Sequence, residues 1–166
     1  MLTLEEKMFF HADYFREAAN ALLVDVGQRK KRTGYEMLPV WVMQALTCEL
    51  FLKCLVAVTT AEKKPTGHLL HKFFDKIPAN SQALLIHNYE VIGKTNQAHI
   101  NFFKATPHVK NDIRVILEGG SEVFQKVRYA YEGLGKQKLI NCFPVPILAT
   151  RKTILDISPS WHSKQL

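Results

Sequence analysis

At 166 residues the chain is long enough for one well-buried core and too short to make two domains the natural reading. Hydrophobic residues make up 47% and charged residues 22%, which excludes an extended disordered or low-complexity tract. The formal charge of +7, from 22 Lys and Arg against 15 Asp and Glu, favours polyanionic partners such as RNA, DNA or acidic protein surfaces.

The first element is read from Thr3 and Glu6, spaced as in a capping box. Behind them Met8, Ala12, Phe15, Ala19, Leu22 and Val26 recur at alternating steps of four and three. This predicts a long amphipathic helix over 3–26. The following GQRKKRTG, Gly27 to Gly34, sets four basic residues between two glycines and reads as an exposed connector that could also touch phosphates. The N-terminal MLTLEEKMFF lacks the basic and apolar regions of a signal peptide, so no export is expected.

Pro39 suits a helix start, and the apolar run after it reaches about Thr60. By length this run could span a membrane. Glu49 and Lys53 near its middle argue instead for the central helix of a bundle, because a charge at the centre of a bilayer costs about 2.5–3.5 kcal/mol on insertion scales. No membrane association is expected. After the connector AEKKPTG, a short helix HLLHKFFDKI stops at Pro78. Asn80 or Ser81 can cap the next helix, which runs to about Ala105 with a polar GKTNQ stretch where it can break.

Residues 111–134 carry Ile113, Leu117, Gly120, Phe124, Val127, Tyr131 and Leu134 in helical phase. Gly119 and Gly120 inside that phase predict a close approach of two backbones, a broken helix being the alternative. The C-terminal part opens with a Pro-Val-Pro turn, after residues 139–143 that could be extended, and closes with a helix from about Pro146 to Ile157. The expected fold is all-α: a single domain over 1–166, built as an up-and-down antiparallel helical bundle of five to six helices. Its core covers about 3–135, and 139–166 form a C-terminal extension.

The chemistry-bearing residues are few. Glu49 precedes Lys53 by four positions, the favourable order for an intrahelical ion pair, and a pair on so apolar a helix needs further partners. His68, Arg128 and Tyr129 are the candidates. A purely structural ion cluster is the competing reading. His68 and His71 could share a helix face, but no third ligand has metal-site spacing, and no metal or other cofactor is expected. Cys48, Cys54 and Cys142 form no CxxC pair and fit reduced, buried thiols of a cytoplasmic protein. Neither GxSxG nor a GK[ST] phosphate loop is present.

Taken together, CELFLKCL, GHLLHKFFDKIP and VRYAYEG resemble the HEPN domains, small all-α bundles of prokaryotic toxin, phage-abortive-infection and RNA-processing systems. The matching residues are Glu49, Leu50, Leu52 and Lys53, then Gly67, His68 and Leu70, then Arg128, Tyr129, Tyr131 and Glu132, across about residues 10–135. The resemblance implies a bundle that often dimerises around a basic cleft suited to RNA or nucleotides. Active HEPN ribonucleases place a histidine four to six residues after an arginine, and here no arginine is so followed. The expectation is therefore a non-catalytic module that binds RNA or nucleotide in a defence or toxin–antitoxin setting. It acts as a homodimer or with a cognate protein, with Glu49, Lys53, His68, Arg128 and Tyr129 at the ligand. The alternatives are a metal-free ribonuclease in which His68 replaces the displaced histidine, and a structural or dimerisation bundle.

Overall fold

The structure, a computed structural model, describes residues 1–29, 36–123 and 143–163. Every regular element among them is helical: α1 (Leu4–Gln28), α2 (Met37–Thr59), α3 (Leu70–Lys76), α4 (Ala79–Thr95), α5 (Gln97–Ala105), α6 (Ile113–Gly120), α7 (Pro144–Ile157) and a terminal 3₁₀ turn (Pro159–Ser163). The fold is all-α. Of the expected basic connector Gly27–Gly34, Gly27 and Gln28 are instead the last residues of α1 and Arg29 caps it; residues 30–34 lie outside the described residues, as do Cys142 and the second half of the helix expected over 111–134.

α1 starts as its sequence dictates. The Glu6 amide donates to Thr3 Oγ1 at 3.2 Å and the Thr3 amide donates to Glu6 Oε2 at 2.8 Å, so two of the N–H groups without helical acceptors are satisfied reciprocally. Of the expected core face, Ala12, Ala19 and Val26 are buried and Met8, Phe15 and Leu22 half-buried. Phe9 and Phe10 carry the larger share of the contact.

α2 is the centre of the molecule, packed against α1, α3 and α7. From Gln44 to Ala57 nearly every residue is buried, without a polar face. By length and composition it could cross a membrane, at a mean hydropathy of 1.6, yet 61% of its most apolar window is buried inside the protein. Thr47 is buried on this helix, and its hydroxyl donates to the Met43 carbonyl at 2.7 Å.

Three contacts fix the direction of α1. Phe9 packs on Phe51 with ring centroids 5.6 Å apart, Cys54 Sγ donates to the Glu5 carbonyl at 3.4 Å, and Gln44 shares a crevice with Ala19 and Asn20. The start of α1 thus meets the end of α2, and the two run antiparallel. α1 is antiparallel to α7 as well, since Phe9 stacks on Trp161, Asp13 binds Arg151, and Arg16 lies beside Pro144. Arg151 grips both carboxylate oxygens of Asp13 at 2.9 Å. Burial alone would raise the Asp13 carboxyl, but Arg151 and Arg16 outweigh it and hold it below the usual carboxylate range.

The helix expected to run on to Ala105 is divided at Asn96, whose extended backbone ends α4 and whose side chain accepts from the His99 amide to start α5. The polar GKTNQ stretch is where the break falls. Asn80 and Ser81 do not cap α4; they lie within its first turn, after Pro78. α4 packs on α7 through the buried Asn88, whose amide donates to Thr153 Oγ1 and Asp156 Oδ2, each at 3.0 Å.

Two expectations near the C-terminus are corrected. The Pro-Val-Pro segment is the first turn of α7 and not a turn before it, because the first N–H groups of a helix have no intrahelical acceptor and proline loses nothing there. Phe143 accordingly has helical, not extended, dihedrals. The helix over 111–134 is not continuous: α6 ends at Gly120 and the chain turns at Ser121 and Glu122.

The close approach expected at Gly120 is present, but with a ring in place of a second backbone. A Cβ there would lie 2.6 Å from the edge of the fully buried Phe143 ring and 3.4 Å from Leu70. Gly120→Ala should therefore destabilise the protein by about 1–3 kcal/mol through overpacking. Urea denaturation of the two proteins checks this, and an unchanged midpoint would show that Phe143 has room to move.

Candidate functional site

The two charges on α2 meet where the expected core is densest. Glu49 is only 5% exposed, and Lys53, one turn along, donates from Nζ to its Oε1 at 2.7 Å. The same ammonium sits 5.4 Å from the centre of the Phe73 ring on α3. A carboxylate this deep must be met by hydrogen-bond donors, and the ammonium fills one side.

The other side is filled from the connector between α2 and α3. Gly67 adopts φ +103°, a left-handed conformation that glycine takes without strain, and the chain then turns so that His68 Nδ1 lies 3.2 and 3.3 Å from the two Glu49 oxygens. An ionised carboxylate only accepts, so Nδ1 is the donor of this contact and Nε2 is the nitrogen left for other partners. The His68 side chain is 81% exposed. A buried acid therefore holds an imidazole by its inner nitrogen and presents the outer one to solvent.

That geometry brings together Glu49, Lys53 and His68, three of the five residues expected at the site. Arg128 and Tyr129 lie outside the described residues. His71 does not pair with His68 as a metal site would require. Its Nδ1 is 3.3 Å from Ser121 Oγ, the hydroxyl that also accepts the Leu70 amide at 2.9 Å and so anchors the start of α3 on the end of α6. A second clasp joins the same helices, Arg114 donating to both oxygens of Asp75 at 2.8 and 3.0 Å. No group of three or more His, Cys, Asp or Glu among the described residues could hold a metal ion. Cys48 and Cys54 are unbridged and buried, and burial pushes both thiols up, with the Glu49 and Glu5 charges adding to the effect. Neither is a ready nucleophile.

Sequence reasoning missed a cleft elsewhere on the molecule. Between α4 and α5 lies a cleft of about 430 Å³, bordered by Tyr89, Gly93, Lys94, His99, Phe103 and Lys104, with Asn111 at its edge. His99 is buried there, edge-on to Tyr89 at 5.3 Å and to Phe103 at 4.7 Å. The ring fits only because residue 93 is glycine: a Cβ would lie 2.9 Å from His99 Nε2. Tyr89 and Gly93, one helical turn apart just before a polar break, were the available signal.

No family model, no curated protein and no solved structure matches the chain.

Two outcomes follow from this geometry. Glu49→Gln leaves a half-buried ammonium and an imidazole without their anion and should lower stability by about 2–3 kcal/mol. Glu49→Leu combined with Lys53→Met removes both charges and should recover most of that loss. A double-mutant cycle in urea checks the pair, and additive losses would mean that the two charges do not depend on each other.

The second outcome concerns pH. Burial lowers the pKa of His99, and its hydrogen bond to the Asn111 side chain only partly opposes this. The unfolded imidazole, titrating near about 6.5, then binds a proton that the folded one refuses. Stability should be level above about pH 7 and fall as pH drops through about 6.5, a slope that His99→Gln should flatten in unfolding midpoints measured from about pH 7.5 to 5.5.

Proposed function

We propose that this chain is a HEPN-like, up-and-down antiparallel bundle that acts as a non-catalytic binding module for RNA or nucleotide. Its contact face is centred on His68 and Lys53, with Glu49 as the group that positions them. Arg128 and Tyr129 complete that face by the motif resemblance. The setting the resemblance suggests is a prokaryotic defence or toxin–antitoxin system in the cytoplasm, with the chain as a homodimer or bound to a cognate protein. α2 is read as a core helix and not a membrane span.

The observation that carries this reading is the meeting of the first two motifs at one point, His68 hanging from buried Glu49 with its outer nitrogen in solvent. A protonated imidazole so held donates to a phosphate oxygen without first having to be ordered. The net charge of +7 draws polyanions toward it.

One feature favours a second reading. A neutral imidazole fixed through Nδ1 by a carboxylate, with Nε2 exposed, is also the arrangement of a general base. Metal-free RNA cleavage with His68 as base and Arg128 on the phosphate is the corresponding activity.

Fluorescence anisotropy with a labelled single-stranded RNA, in chelator, tests both. Affinity should fall between about 50 and 200 mM salt. It should drop about tenfold in His68→Ala and in Arg128→Ala, with the RNA recovered intact. RNA shortened by the wild type and not by His68→Ala would replace the binding module with the nuclease. Absence at low salt of any RNA or nucleotide binding that His68→Ala weakens would remove both.

A further inference from the structure

The cleft between α4 and α5 shares no residue with the Glu49 cluster, and its chemistry is different. We propose that it is a small-molecule site for a planar heteroaromatic anion of the nucleoside monophosphate class.

Its volume of about 430 Å³ lies within the range of about 300–1,000 Å³ usual for small-molecule sites. The walls are aromatic. His99 stands edge-on between Tyr89 and Phe103, and Phe102 meets Phe103 edge-to-face behind it, so the ring positions are set by packing before any ligand arrives. Such walls accept a flat ring with little loss of side-chain freedom.

The rim supplies the charge. Lys53, Lys76 and Lys152 each hold a carboxylate. Lys94 and Lys104, which border the cleft from α4 and α5, hold none among the described residues. Glu90 also borders it, one turn before Lys94, without being within ion-pair distance of that lysine. Two cations and one anion favour a ligand that combines a phosphate with hydroxyl groups, the phosphate for the lysines and a ribose hydroxyl for the Glu90 carboxylate. Asn111 adds an amide at the edge. Its Oδ1 accepts from the Tyr89 hydroxyl at 2.8 Å and its side chain hydrogen-bonds His99, which leaves capacity for the edge of a base.

Gly93 keeps the site open. A side chain there would collide with His99 Nε2, so the ring that lines the cleft would have to shift. The three atoms nearest to a Cβ at this position all belong to His99, and none to α7.

Isothermal titration of the full chain with AMP, adenosine and inorganic phosphate decides the matter, with circular dichroism melts to confirm folding. AMP should bind saturably at one site, and at least about tenfold tighter than adenosine or phosphate, because ring and anion are both recognised. Lys94→Ala and Lys104→Ala should each weaken AMP about fivefold, Lys7→Ala on α1 should change nothing, and Gly93→Ala should abolish binding. If Gly93→Ala does not fold, the two exposed lysines still decide. No saturable AMP binding at millimolar concentration, or AMP binding indifferent to both lysine substitutions, would overturn the proposal. The RNA measurements with His68→Ala are independent of either result.

Discussion

A carboxylate buried in the middle of an apolar helix is the constraint around which this protein is arranged. Glu49 has lost nearly all contact with water, and desolvating a charge costs several kcal/mol unless donors replace that water. One donor comes from the same helix, because a residue four positions later lies on the same face. The second must come from elsewhere in the chain. It comes from His68, and it reaches Glu49 only because Gly67 permits a left-handed turn. The start of α3 follows from that turn, and with it the position of Phe73 beneath Lys53. One desolvated charge thus ties the central helix, the connector and α3 into a single geometric problem.

The outer helices are held by a different device. Each interface adds to its apolar contact a polar clasp whose groups satisfy each other: Asp13 with Arg151 between α1 and α7, Asn88 with Thr153 and Asp156 between α4 and α7, and Asp75 with Arg114 between α3 and α6. An exposed pair such as Asp75–Arg114 adds little energy taken singly. The two-pronged geometry of these clasps fixes rotation and register, which apolar packing alone specifies weakly. Glycines then set the closest distances, Gly120 under Phe143 and Gly93 under His99.

Much of this was legible in the sequence because it depends on short spacings. The Thr3 and Glu6 capping box, the phase of α1, the central position of α2 and the Glu49–Lys53 pair are all relations over three or four residues. The break in GKTNQ was legible as polarity. The departures arise where a local signal has two structural outcomes. Pro-Val-Pro fits a turn or a first helical turn equally, and only the fit of Phe143 against Gly120 selects the second. A glycine in helical phase indicates closeness without saying to what. The α4–α5 cleft left only the Tyr89–Gly93 spacing as a signal, since its residues lie on two helices whose mutual angle no spacing encodes.

The two histidine sites also differ in how their imidazoles are held. His68 is bonded to a buried acid and stands in water, so its proton on Nδ1 is fixed while its outer nitrogen is available to whatever approaches. His99 is buried among rings, its charged form disfavoured by burial, and its packing is set by a glycine. The first histidine presents a ring nitrogen to solvent. The second is placed to be a wall. That contrast follows from their surroundings alone: a carboxylate partner and exposure make an imidazole chemically useful, whereas aromatic neighbours and burial make it a rigid surface. The two imidazoles share no neighbour, so the surroundings that define one are independent of those that define the other.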